Sequence, residues 1–388
     1  MRRIIALALA AAVALCGCDG AADDDPGPEA GYRLSNECPS PQQLPDLTVD
    51  FLNDVVESAD LPAWQAADIG ASARLLDGRL VWLFGDTLRE PGRFSPPMVG
   101  NSMLITSGAC VAQVLAPDDG PVIPDPRPGV VVWPMSVVVL DPERVRDDER
   151  FGGLSEYDEA IVVLGSRIRR GAGDAFDFTF LGTSGAVFGI DADGVPQLID
   201  VMRVTRDSES PTQVNWGAAA VIDGRWLYVY GTRLTGQNFG RELYAARVPA
   251  AAPSDRRQWR FWDGSQWTTS RRSAQPVLPG RGGVSQTLSV DVVDGQFVAV
   301  SKRDGDLGDF VYVWKSPGPT GPWTPRRALA APAGFDTGRL TYAPLAHPEI
   351  ELANGRLLVS ISRNTTDPQQ LLDHPEMGRP MFAEVQMP

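Results

Sequence analysis

The stretch Asp68-Ile-Gly-Ala-Ser-Ala-Arg-Leu-Leu-Asp77-Gly78-Arg-Leu-Val-Trp-Leu-Phe-Gly-Asp86-Thr87 decides the fold. Two apolar runs flank Asp77-Gly78, the dipeptide that most readily supplies the positive φ angles of a tight turn. The segment therefore predicts an antiparallel hairpin with a carboxylate at each open end. A two-residue turn puts 76 opposite 79 and 69 opposite 86. Asp68 and Asp86 then lie within one residue of each other across a ladder whose opposed Cα atoms are about 4.5 to 5.5 Å apart. Strict alternation sends them to opposite faces. A β-bulge at Gly70 or Gly85 turns both to one side.

The second half of this hairpin recurs. Gly78-Arg-Leu-Val-Trp-Leu-Phe-Gly-Asp86 is echoed by Gly224-Arg-Trp-Leu-Tyr-Val-Tyr-Gly-Thr232, by Gly295-Gln-Phe-Val-Ala-Val-Ser-Lys-Arg303 and by Gly355-Arg-Leu-Leu-Val-Ser-Ile-Ser-Arg363, each preceded by Asp or Asn. The first gap is about twice the others, which predicts a degenerate copy at Ala160–Arg167 with its partner at Trp133–Leu140. Third strands are expected at 101–106, 178–190, 243–248, 310–314 and 381–385. Outer strands are expected at 197–201, 259–262 with Trp267, and 321–323.

Five repeats longer than about 50 residues, each with room for four strands, predict an all-β, five-bladed β-propeller of four-stranded antiparallel blades. The alternative architecture is a β-sandwich, against which the repeated hairpin register counts. Because the chain ends on a third-type strand, ring closure is expected from an N-terminal strand at Leu47–Phe51, which would cover an open sheet edge. The 33 prolines and 39 glycines scattered between short apolar runs fit a chain with many turns.

Residues 1–18 have the form of an export signal: Arg2-Arg3, then an apolar run too short to span a bilayer, then Leu15-Cys16-Gly17-Cys18. The last four residues resemble a bacterial lipobox, implying lipid on Cys18 and a protein exported to the periplasm or the outer cell surface, touching membrane through that anchor only. An ordinary secretory signal is the alternative. Residues 19–45 are assigned as a tether, acidic and rich in Ala, Pro and Gly at its start, and 46–388 as the propeller. Cys38 and Cys110 remain as an even pair for a disulfide in an oxidising compartment. With only His347 and His374 present and no CxxC, a zinc site of His and Cys is not expected, nor any other cofactor; calcium at the channel stays open.

The formal net charge of -14 excludes a nucleic-acid partner held through phosphates and favours a neutral or cationic ligand. Lys302 and Lys315 are the only lysines. The chain is expected to act as a monomer.

The starts of the innermost strands converge at one mouth of a propeller, and here they carry Asp68, Trp133, Asn215, Trp216, Gln286, Tyr342, His347 and Glu349. Aromatic faces beside acids suit a sugar. Glycoside cleavage needs one protonated and one ionised carboxyl, about 5 to 5.5 Å apart for retention and about 6.5 to 9.5 Å for inversion. Asp68 and Asp86 are the candidates, if burial splits their pKa values. Against each stands a structural role: Asp68 as a turn cap, Asp86 in an internal ion pair with arginine, Trp133, Trp216 and Tyr342 as packing residues, His347 as a satisfied core histidine. Trp259, Trp262 and Trp267 are assigned to packing between blades.

Asp68-Ile-Gly with Phe84-Gly-Asp86-Thr87, Asn101-Ser102, Asn215-Trp216-Gly217 and Tyr342-Ala-Pro-Leu-Ala-His347-Pro348-Glu349 resemble a bacterial propeller family long catalogued only as a domain of unknown function, some of whose members are endo-D-arabinanases acting on mycobacterial cell-wall arabinan. The resemblance spans about residues 60 to 385. It implies a five-bladed propeller of the arabinanase-like type, with Asp68 and Asp86 as catalytic pair, Asn101 among the binding residues, and a polysaccharide or glycan as partner. The charged insert 141–159 departs from the pattern and is expected to reshape the cleft. A non-catalytic glycan- or protein-binding module is the competing function. A structural envelope protein whose channel holds water or a cation is a third, and it requires the acids to be bonded to arginines with no open cleft above them.

Overall fold

The computed structural model describes residues 31–43, 47–171, 177–236 and 239–387. The leader, the lipidation candidate Cys18 and the start of the tether lie outside the described residues.

Five antiparallel sheets follow in chain order. Their first strands are Ala66–Arg74, Val130–Leu140, Asn215–Asp223, Ser289–Val293 and Arg339–Ala346. Each touches the first strand of the next blade, and the fifth touches the first, so these strands ring the axis. The chain is a five-bladed β-propeller. The repeated apolar stretches form the second strands Leu80–Leu88, Glu159–Arg170, Trp226–Leu234, Gln296–Lys302 and Leu357–Thr365. These are buried on both faces, which is why they read as continuous hydrophobic runs. One apolar cluster runs through all five blades, from Ile69 to Leu345. Smaller clusters join blade 2 to 3, 5 to 1 and 4 to 5.

Blade 5 has three strands, ending at Met381–Val385. The expected closing strand at Leu47–Phe51 is not formed: Leu47 makes one parallel bridge to Leu352, and Val49–Ser58 is a helix. Thr48 caps it, accepting the Phe51 N–H at 3.2 Å. Leu52 and Val56, four apart, share the face laid on Trp64, Trp82, Phe84 and Phe382. The open edge is covered all the same. The Asn53 carboxamide accepts from Phe382 N at 2.8 Å and donates to Phe382 O at 3.1 Å, as a neighbouring strand would.

The propeller also begins earlier than residue 46. Arg33–Leu34 adds a short outer strand to Cys110–Leu115 of blade 1, and Cys38 is joined to Cys110 by a disulfide. The insert 141–159 does not border the mouth. It joins Leu140 to Ala160 at the end of blade 2 remote from Trp133 and Arg170, and it buries Val145, Phe151 and Leu154 against blade 2.

Candidate active site

The first hairpin is one residue out of the expected register. Leu75 N donates to Arg79 O and Gly78 N to Leu75 O, both at 2.9 Å, so the turn holds three residues, Leu76, Asp77 and Gly78, with Gly78 at φ 88°. Asp77 Oδ1 stabilises it by accepting the Arg79 N–H at 3.0 Å. Arg74 then pairs with Leu80 and Ala67 with Thr87, which leaves Asp68 and Asp86 beside each other between the pairs Ala67↔Thr87 and Ile69↔Phe84.

Both suspected glycines take part in irregularities. From Ala67↔Thr87 to Ile69↔Phe84 the second strand carries an extra residue at Gly85-Asp86; from Ile69↔Phe84 to Ala71↔Leu83 the first carries one at Gly70. The two cancel, so the strands keep their register while the acids stand out of the ladder between them. Ile69 and Gly70 both have positive φ, 72° and 81°, and Ile69 N donates to Ser362 Oγ at 2.9 Å. A side chain at 85 would collide with Asp68 Oδ1, which fixes glycine there.

The two carboxylates have different surroundings. Asp68 Oδ2 accepts the Tyr342 hydroxyl at 3.0 Å, and Asn364 Nδ2 donates to that hydroxyl at 3.4 Å. Asp68 Oδ1 is buried without a hydrogen-bond partner among the described residues. Burial first, then the charge of Asp86, pushes the Asp68 carboxyl up to about 7, against the pull of the Tyr342 hydroxyl and, through space, of Arg170. Asp86 Oδ1 accepts Trp133 Nε1 at 2.6 Å and is bonded by Arg170 Nη2. Burial raises Asp86 too, but here the Arg170 cation is the leading opposing influence, followed by its hydrogen bond and that of Trp133. The ion pair foreseen as an alternative for Asp86 therefore exists. It is half-buried: the Arg170 and Asp86 side chains are 35% and 24% exposed.

Trp133 and Tyr342 join the two acids; the other candidates fall elsewhere. Trp133 is half-buried, edge-on to Phe178 at 4.9 Å between ring centroids. Trp216 is 1% exposed and packs on Tyr244 and Phe261, so it is a core residue and not a sugar platform. Asn101 is likewise structural: fully buried, it donates to Ile123 O and Val132 O and accepts from Ile123 N, tying blade 1 to the chain entering blade 2. Asn215 is buried opposite Thr232. Gln286 accepts from Arg241 Nη2 at 3.0 Å on the blade 3 to blade 4 boundary.

His347 and Glu349 do not join the pair either. His347 Nδ1 meets Ser72 Oγ at 2.5 Å and Nε2 meets Ser360 Oγ at 2.7 Å, while Glu349 also accepts from Ser72. Ser72 lies four residues along the inner strand from Asp68, about 13 Å down the channel. His347 is thus a satisfied core histidine, tilted against Trp82. Asp291 faces Glu349 in the same channel, and burial with that charge holds its carboxyl well above the usual range. Among the described residues no group of three or more His, Cys, Asp or Glu is arranged to hold a metal ion.

Sequence reading missed Arg170, Asn364 and Asp125. Asp125, in the loop entering blade 2, feels both Arg170 and Asp86, and burial raises it. Nothing distinguished Arg170 from the other arginines. Its place one strand over from Trp133, near the end of the degenerate second-blade repeat, was the available signal.

A family model described as a domain of unknown function (DUF5005) matches residues 58–387. No curated protein matches the chain. Among solved structures, a protein of Bacteroides ovatus described as a candidate hydrolase aligns with a TM-score of 0.63 at 16% identity, over 86% of this chain and 88% of that one. A GH43_1 enzyme from Xanthomonas citri aligns with a TM-score of 0.45 at 14% identity, over 86% and 93%. A GH43 endo-arabinanase from Bacillus licheniformis gives 0.43 at 12%, over 82% and 94%. The first of these is a likeness of fold.

Proposed function

The chain belongs to the DUF5005 family, and we propose that it is a glycoside hydrolase of the cell envelope, acting on an arabinofuranoside-type polysaccharide with Asp68 as proton donor and Asp86 as the ionised partner. The observation that carries this reading is the unequal tuning of two facing acids. Asp68 is bonded to a hydroxyl and no cation, and is raised to about 7, so it holds a proton under mildly acidic conditions. Asp86 is bonded to a guanidinium and an indole N–H, which favour the carboxylate. Two buried carboxyls, one held by a hydroxyl and the other by a cation and an indole N–H, are arranged to take the two roles that acetal cleavage uses: one protonates the departing oxygen, the other attacks carbon or activates water.

Support for a glycan comes from the half-buried Trp133 ring beside Asp86 and from Phe239 and Phe335, 65% and 49% exposed, in loops at the same end of blades 3 and 4. Neutral sugar rings stack on such faces, and the chain's net charge of -14 disfavours a polyanion. The lipid anchor on Cys18 belongs to this reading as the means of holding the enzyme at its polymer.

The test is product release. The full chain is incubated with a panel of arabinans and related polysaccharides, and reducing ends are counted. Wild type releases them. Asp86→Asn folds with the same circular dichroism and loses at least a hundredfold in rate, the low end of the usual contribution of a positioned acid or base, about 10² to 10⁴. Binding without release by the wild type would favour the non-catalytic module instead.

A further inference from the structure

Lys302 ends the second strand of blade 4 with none of its surface exposed. Its ammonium donates to the Thr341 carbonyl of blade 5 at 2.6 Å, its one hydrogen bond among the described residues. A buried cation bonded to a single carbonyl is costly unless the contact fixes something. Asp306 and Asp309, in the loop that follows, are the acids that face it, and burial still brings its pKa down to about 8.

What Thr341 precedes is the Tyr342 that bonds Asp68. After Tyr342↔Ser362 the inner strand of blade 5 leaves register and rejoins only at Leu345↔Ser360. Ala343, in between, sits at φ 44°, and Pro344 has no N–H to give. Tyr342 therefore stands at the last paired position before a bulge, and its ladder cannot hold it from the far side. The near side is held by its ladder, Leu340↔Asn364 and Thr341↔Arg363, and by three contacts outside that ladder: Thr341 N to Ala333 O at 3.2 Å, Thr341 Oγ1 to Pro332 O, and Lys302 Nζ to Thr341 O. The last is the one that comes from another blade's second strand.

We propose that Lys302 is a positioning residue for the candidate acid: by gripping the Thr341 carbonyl across the blade 4 to blade 5 boundary, it sets where the Tyr342 hydroxyl meets Asp68. This deepens the hydrolase reading, since it assigns control of the proton donor to a residue two contacts away. Asp68 itself is faced by Asp86, Arg170 and Tyr342, and only the Tyr342 contact is tied to Lys302. Loosening it removes a hydrogen bond that favours the ionised carboxyl, so the Asp68 midpoint moves upward.

The experiment follows the Asp68 carboxyl carbon by NMR during a pH titration of the full chain, with Asp68→Asn identifying its signal. No substrate is involved, so the outcome is separate from whether any polysaccharide is cleaved. Tyr342→Phe and Lys302→Met are both expected to raise the midpoint by about half a pH unit or more, the direction given by losing a bond to the charged form. The double variant is expected to equal Tyr342→Phe alone, and Lys302→Arg to restore the wild-type midpoint in part. Where Lys302→Met does not fold, Lys302→Gln serves, with the same direction expected. A wild-type midpoint in the Lys302 variant beside a shifted one in Tyr342→Phe, or two shifts that add, would overturn the proposal and leave Lys302 as a packing residue.

Discussion

Asp68 and Asp86 meet different partners, the Tyr342 hydroxyl at the first and the Arg170 guanidinium with the Trp133 N–H at the second, and the proposed division of labour rests on that difference. It also has a consequence for stability. Asp68 rises from 3.8 to about 7 on folding, so between those pH values the folded chain holds more protons than the unfolded one. The stability that Asp68 contributes is therefore full below about 4 and falls as pH climbs to about 7, the reverse of an ordinary salt-bridged aspartate. Asp68→Asn should lack this slope: its melting temperature relative to wild type is expected to be higher at pH 8 than at pH 4, which thermal unfolding at the two pH values checks. The two acids, Trp133 and Tyr342 were legible in the sequence because apolar strands that end in acids and aromatics are uncommon. Arg170 was not, because an arginine on a degenerate repeat carries no local signal. His347 and Glu349 looked like mouth residues on proximity in sequence to Tyr342, but the bulge after Tyr342 and the run down the strand deliver them to the channel beside Ser72.

The hairpins were legible as elements and their fine register was not. Asp77-Gly78 announced a turn, yet its length depended on Asp77 accepting the Arg79 N–H, a local side-chain bond that composition does not disclose. The helix Val49–Ser58 shows a second way of failing. The demand that a three-stranded blade have its edge covered was right, and the assumption that only a strand can do it was wrong. Leu47–Phe51 alternates loosely enough to pass for a strand, whereas the Thr48 cap and the apolar spacing through Val56 define the helix. Asn53 performs the strand's task with one carboxamide. Asn53→Ala should leave the Phe382 N–H and C=O without a protein partner and cost about 1 to 3 kcal/mol, the usual penalty for an orphaned polar pair. Denaturant titration of the variant measures it; a loss below a few tenths would mean that water replaces the amide at that edge.

Across the whole molecule the ring makes chemistry from distance. Tyr342 and Arg170 stand far apart in sequence; closing the fifth first strand onto the first brings Tyr342, and the adjoining second blade brings Arg170, to one hairpin end. The fold class was readable because repetition survives substitution: four apolar hairpins with turn residues at the same place, and a fifth degenerate copy at the right spacing, need no identity between them to specify one architecture. The disulfide between Cys38 and Cys110, 72 residues apart, pins the chain's entry to blade 1, and closing a loop of that size stabilises a fold by about 4 kcal/mol in the chain-entropy account. The proposed function rests on one arrangement, Asp68 as the protonated acid facing an ionised Asp86. The most direct test is the pH dependence of reducing-end release from arabinofuranoside polysaccharide by the full chain, beside Asp68→Asn. The account predicts that release by the wild type declines as pH rises through about 7, where Asp68 loses its proton, and that Asp68→Asn shows no release at any pH. Release that persists unchanged from pH 6 to pH 9, or undiminished turnover by Asp68→Asn, would contradict it.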